Sequence, residues 1–152
     1  MKMKVFTCGL MVLLVLSFAL GCSSPSSTTS SPPTGATSTT SGNTFQSLAN
    51  QGQSVFSAKC ATCHGTGGQG TSIGPAVWGS GFTVGVYNGT TLFAANGQAM
   101  LNFISSSMPL NAPGSLSHSD AINVLCYLLV QENQVTPSSV FVESQLGSLS
   151  LK

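Results

Sequence analysis

Cys60-Ala61-Thr62-Cys63-His64 is the stretch of this chain that decides its fold. It reads C-x-x-C-H, the pattern by which a c-type haem is attached. The chemistry accounts for the spacing. Two thiols three residues apart on a helical turn share a face, roughly 5–6 Å apart between Cβ atoms. From there they reach the two vinyl groups of one porphyrin and form thioethers. His64, next in sequence, is carried beneath the ring, where an imidazole can ligate iron. A thioredoxin-like redox pair would need a βαβ context, and no such pattern is present. A structural zinc site would need a second Cys/His pair at similar spacing, and Cys126 and His118 do not form one.

The N-terminus points outside the cytoplasm. Lys2 and Lys4 precede an apolar run from Val5 to Leu20, interrupted by Thr7, Cys8, Gly9 and Ser17. This is the pattern of a secretory signal, expected over residues 1–21. Its end, Ala19-Leu20-Gly21-Cys22, resembles a bacterial lipobox, which would make Cys22 the lipidated first residue of the mature chain. Ordinary signal-peptidase cleavage and an uncleaved anchor are the alternatives, and the segment is near the short limit for a membrane span. All three place the rest of the chain beyond the membrane, where c-type haem is attached. Residues 22–43 follow as a tether that, after Cys22, holds Ser, Thr, Pro and Gly with only Ala36 and Asn43 besides, and no charge. Such a composition cannot bury enough apolar surface to fold. As a flexible coil it would span on the order of 25 Å.

The folded part is expected over residues 44–135, with residues 136–152 as a C-terminal extension. A domain of this size has a marginal core unaided, and a covalent haem would give it a large apolar body to pack around. Cysteine usage agrees: Cys8 leaves with the signal, Cys22 takes lipid, Cys60 and Cys63 take haem, and only Cys126 remains, as a buried apolar residue.

The head reads as helical. Phe45, Leu48, Ala49, Gly52, Val55 and Phe56 recur at helical spacing and lead into the haem motif. Gly65 to Pro75 is a Gly-rich loop without the Lys-Ser/Thr of a phosphate cradle. Residues 92–104 hold one or two short helices, with Asn96-Gly97 as a possible break. Ser117 with Asp120 reads as a capping box opening a helix to Val130. That helix is apolar nearly all round, so it is expected to be buried. No run of alternating strand residues stands out.

These motifs together resemble a class I cytochrome c, a single-haem electron carrier, over roughly Gly52 to Val130. The resemblance implies an all-α fold of three to five helices around one covalently bound haem c. In that family a glycine and an aromatic before the haem motif cross the C-terminal helix. Gly52 and Phe56 occupy those positions here, and Val124 and Tyr127 those that receive them. Ile73-Gly74-Pro75 is similar to the family's Gly-Pro, whose proline carbonyl accepts the axial histidine's second N–H. Pro75 would therefore orient His64, the kind of bond that fixes tautomer and basicity. Met108-Pro109 resembles the family's Met-Pro loop, which implies Met108 as the second axial ligand beside His64. A thioether favours ferrous iron, and His/Met ligation raises the potential. Met100 reads as core, His118 as a surface residue in the first turn of a helix, and Trp78 as pocket packing. The Met108 region, with Ala112-Pro113-Gly114, and the tail are also similar to cytochrome domains associated with quinoprotein dehydrogenases.

The resemblance implies an electron carrier between a redox-protein donor and acceptor, held to a membrane through lipid on Cys22, and not itself an enzyme. Two other readings stay open. Without Met108 ligation, the iron could take a gas or peroxide. Alternatively the chain serves as the cytochrome subunit of a dehydrogenase or oxidase complex.

Charge is scarce, at 5% of residues. Beyond the signal only Lys59 and Lys152 stand against Asp120, Glu132 and Glu143, a formal −1. There is no basic patch, so nucleic acid is excluded as a partner. Docking is expected to rely on an apolar surface and tethering rather than electrostatic steering.

Overall fold

A computed structural model describes residues 42–152. The expected signal, Cys22 and nearly all of the tether lie outside the described residues. The elements run α1 (Phe45–Lys59), α2 (Ala61–His64), β1 (Val86–Tyr87), β2 (Thr90–Thr91), α3 (Gly97–Ser107), α4 (His118–Gln131) and a 3-10 turn (Glu143–Ser148). The expected all-α class holds, with five helical segments among the described residues. No helix among them is long and apolar enough to cross a membrane.

Each long helix begins where a short polar side chain satisfies a free N–H. Thr44 Oγ1 accepts from Ser47 N at 3.1 Å, Asn96 Oδ1 from Ala99 N at 2.9 Å, and Ser117 Oγ from Asp120 N at 3.0 Å. Asn96-Gly97, read as a break, is thus the start of α3. Gly97 is buried there, and a Cβ on it would come within 3.1 Å of the Leu146 side chain.

The core is the crossing of α1 and α4. Phe45, Leu48, Ala49, Gly52 and Phe56 of α1 are buried. They meet the α4 stretch from Ala121 to Leu129, where Leu125 and Cys126 have no exposed surface at all. Met100, Leu101 and Ile104 of α3 join the same cluster. The helices approach closely at Gly52, whose absent Cβ would press on the Asn123 carbonyl and lie 2.9 Å from Tyr127 Cβ. One turn on, Phe56 and Tyr127 stack at 5.5 Å, and Trp78 packs on both, 4.9 Å from Phe56 and 5.5 Å from Tyr127.

The C-terminal residues from Thr136 return across the domain and close it. Phe141 N donates to Asn43 O, Phe45 N to Ser139 O, and the Phe141 ring meets Phe45 edge-on at 5.4 Å. Leu146 is 1% exposed and Leu151 5%, both in the main cluster. Gln134 closes the end with two bonds to the Lys152 backbone. Residues 86–91 form a two-residue antiparallel hairpin in which Val86 pairs with Thr91 and Tyr87 with Thr90.

Candidate haem-binding site

The attachment motif occupies a tight corner. α1 ends at Lys59, and Cys60 caps both it and the single turn α2 that follows. Cys63 N and His64 N both donate to Cys60 O, at 3.1 and 2.9 Å, so the two thiols and the histidine ride on one turn. Cys60 and Cys63 are unbridged and partly exposed. Burial and the neighbouring Cys63 push the Cys60 thiol up, against a smaller opposite pull from Lys59.

The Gly-rich loop then folds back beneath this turn. Gly70 N donates to His64 O at 2.8 Å, and Thr71 Oγ1 donates to Cys63 O at 2.6 Å. Gly74 is buried against Cys63, with a Cβ there falling 2.9 Å from the Cys63 carbonyl oxygen. The fold-back delivers Pro75, whose carbonyl oxygen lies 2.8 Å from His64 Nδ1. A carbonyl only accepts, so Nδ1 carries the proton and Nε2 is left with its lone pair. Further along, Val77 N donates to Gly68 O at 2.8 Å. Gly68, at φ +64°, lies flat against the Trp78 ring, leaving no room for a side chain. Glu132, just past α4, accepts from Gly79 N at 2.6 Å and ties the loop's far end to the core.

The structure brings Cys60, Cys63, His64 and Pro75 together. Met108 is the half-buried C-cap of α3, its N–H bonded to Ile104 O at 3.2 Å. Turns at Pro109–Ala112 and Ala112–Ser115 follow it. Met100 is 5% exposed in the core. His118 is on the surface, with Nε2 3.0 Å from Glu143. Cys126 is wholly buried, and burial pushes its thiol up to about 12.

These residues fit a covalent haem better than a protein-only metal site. Among the described residues no three His, Cys, Asp or Glu side chains gather to hold an ion. What the motif offers is two free thiols and one imidazole nitrogen. Two residues before Pro75 and two after Met108 in sequence stand large apolar side chains bared to solvent, Ile73 at 70% and Leu110 at 73%. An apolar macrocycle is the kind of body that would cover them.

A family of known sequences described as cytochrome c oxidase, cbb3-type, subunit III matches residues 47–128, from the first turns of α1 through most of α4. The chain belongs to this cytochrome c family. Its cofactor is haem c, covalently held, and the domain is an electron-transfer module. Thiosulfate dehydrogenase of Stutzerimonas stutzeri (strain A1501) is 34% identical over 110 residues, 67% of this chain and 33% of that protein. Thiosulfate dehydrogenase of Psychrobacter arcticus is 32% identical over 91 residues, 55% of this chain and 26% of that protein. The chain thus spans about a third or less of the curated relatives it matches. Among solved structures, the sulfane dehydrogenase SoxCD from Paracoccus pantotrophus superposes with a TM-score of 0.51 at 19% identity, over 70% of this chain and 57% of that one, which speaks to the fold alone.

Sequence reasoning passed over Thr71. It is an exposed threonine in a loop read for its glycines, yet its hydroxyl reaches Cys63 and two loop N–H groups. The signal available was a Thr three residues before Gly74-Pro75, the spacing of a local hydroxyl turn.

Proposed function

We propose that this protein is a membrane-tethered monohaem cytochrome c that carries single electrons between redox proteins outside the cytoplasm. The His64–Pro75 bond carries the reading, because it leaves Nε2 of the motif histidine as the free ligand nitrogen. When bound, the haem supplies a one-electron Fe(III)/Fe(II) couple. Cys60 and Cys63 hold it by thioethers. His64 Nε2 would ligate the iron, with Pro75 keeping the proton on Nδ1 and the ring in a fixed orientation. Met108 would offer a second ligand, a soft thioether that favours the reduced state. Cys22 carries the lipid that keeps the head at the membrane surface. With so few charges, docking to donor and acceptor rests on apolar contact, and electron transfer should change little with ionic strength.

The optical spectrum of the purified holoprotein tests this. The expected result is a ferric sulfur-to-iron charge-transfer band and a ferrous spectrum indifferent to carbon monoxide. A ferrous spectrum shifted by carbon monoxide would mean an open sixth position and would replace the carrier reading with a gas- or peroxide-binding one.

The likeness to thiosulfate dehydrogenases favours a second reading, in which the chain is the electron-accepting cytochrome of a dehydrogenase acting on a sulfur compound. The two separate on a simple mixture. The ferric cytochrome of such a dehydrogenase is reduced by thiosulfate only when its dehydrogenase partner is present and purifies with that partner, whereas a lone carrier does neither.

A further inference from the structure

Between the backbone bonds Gly70 N to His64 O and Val77 N to Gly68 O, the loop that carries Pro75 to His64 is tied down by one side chain. Thr71 Oγ1 donates to Cys63 O at 2.6 Å and accepts from Ile73 N at 3.0 Å and Gly74 N at 3.4 Å. Thr71 N donates in turn to Gly74 O at 2.8 Å. One hydroxyl thus joins the second attachment cysteine to the two residues immediately before Pro75. Gly74 is pressed against Cys63 at the same point, with a Cβ there only 2.9 to 3.1 Å from Cys63 atoms. Apart from this knot, the described backbone bonds between the segment 71–76 and the motif reduce to the Pro75 carbonyl itself.

We propose that Thr71 is a positioning residue for the axial histidine: its hydroxyl locks the 71–75 turn onto Cys63 and so fixes the Pro75 carbonyl on His64 Nδ1. Two consequences follow from the chemistry. A carbonyl held on Nδ1–H makes the imidazole a stronger donor, which favours ferric iron. Loosening the turn weakens that bond, so the ring becomes the poorer donor and the reduction potential rises. The Nδ1 proton, less well held, also exchanges faster with solvent. Thr71 and Ile73 are exposed, so water can replace the hydroxyl at Ile73 N, and the penalty to global stability is confined to the longer Gly74 N bond and the Cys63 carbonyl.

The inference rests on His64 being the iron ligand. Nuclear magnetic resonance of the ferrous holoprotein keeps the two apart. Strong upfield shifts of the His64 ring protons in the unmodified protein report ligation whatever Thr71 does. With ligation so established, Thr71→Val, Thr71→Ala and Thr71→Ser are compared for midpoint potential and for deuterium exchange at His64 Nδ1. The expected result is a raised potential and at least tenfold faster exchange in Thr71→Val, with both restored in Thr71→Ser and the melting temperature little changed. Thr71→Ala removes the hydroxyl without adding bulk and is read by the same criteria should the valine variant fail to accumulate haem. Unaltered potential and exchange in the variants without a hydroxyl would overturn the proposal. So would Thr71→Ser behaving like Thr71→Val, since that would assign the effect to shape rather than to the hydroxyl.

Discussion

Gly52 on α1 rests directly against the carbonyl of Asn123 on α4, with the backbone of one helix in the space that a side chain would need. No flexible group can yield there, because the obstacle is main chain. Gly52→Ala should therefore separate the helices, at a cost near the upper end of overpacking penalties, about 3 kcal/mol. This exceeds the ~1 kcal/mol that alanine returns through helix propensity. Denaturant unfolding of the holoprotein checks it: a midpoint equal to or above that of the unmodified protein would refute the close-approach argument.

The methionine inside α3 and the one that caps it should behave oppositely. Met108→Ala removes the proposed axial thioether, so the ferric charge-transfer band should vanish and the ferrous protein should take up carbon monoxide. Met100, buried among Leu101, Leu128 and their neighbours, is expected to tolerate Met100→Leu with an unchanged spectrum and less than about 1.5 kcal/mol of stability lost. A spectrum altered by the Met100 change and not by the Met108 change would reverse the assignment.

Cys126 gives the fold an alkaline weakness. Burial raises its thiol from 9.0 to about 12 in the folded state. The unfolded chain therefore loses this proton first as pH climbs past 9, and the folded state is disfavoured from there until its own thiol ionises. The stabilisation is complete below pH 9 and falls between pH 9 and about 12. Tyr127, also raised from its ordinary 10.0 by burial, adds the same trend from a unit higher. Urea midpoints between pH 8 and 10 should fall in the unmodified protein and fall less in Cys126→Ala, after allowing for the latter's smaller core side chain. Parallel pH profiles for the two proteins would dispose of the idea.

Leu146 is 1% exposed and belongs to the main cluster, although it lies beyond the last long helix. Leu146→Ala should cost 2–5 kcal/mol, as in any packed core. Val140→Ala, on a side chain 56% exposed, should cost less than about 1 kcal/mol. Thermal melts of the pair decide whether the last residues are part of the fold or an appendage. Equal, small losses at both positions would make them an appendage.

The features legible in the sequence were those with local causes. The spacing of Phe45, Leu48, Gly52 and Phe56 needs only a helical period to be seen, and Ser117 announces α4 through a bond to its own third neighbour. The motif Cys60–His64 is readable because its chemistry is fixed by sequence separation. The closing residues were not readable in this way. Phe141, Leu146 and Leu151 follow no period, since each is covered, Phe141 only in part, by partners distant in the chain rather than by the face of a long helix. The hairpin at 86–91 is two residues per strand, too short for alternation to register. Thr71 was missed because a threonine in a polar loop has many idle neighbours, and only three-dimensional geometry shows which hydroxyl is engaged.

The α1–α4 crossing also sets an order in time. A chain emerging from its N-terminus presents Cys60 and Cys63 while α4, which begins at His118, is still more than fifty residues behind. A 15-residue helix without its packing partner is marginal in water. The two thiols therefore lie on a segment whose packing partner is the last long helix of the chain, and the length between them leaves room for attachment chemistry to reach both before the crossing closes.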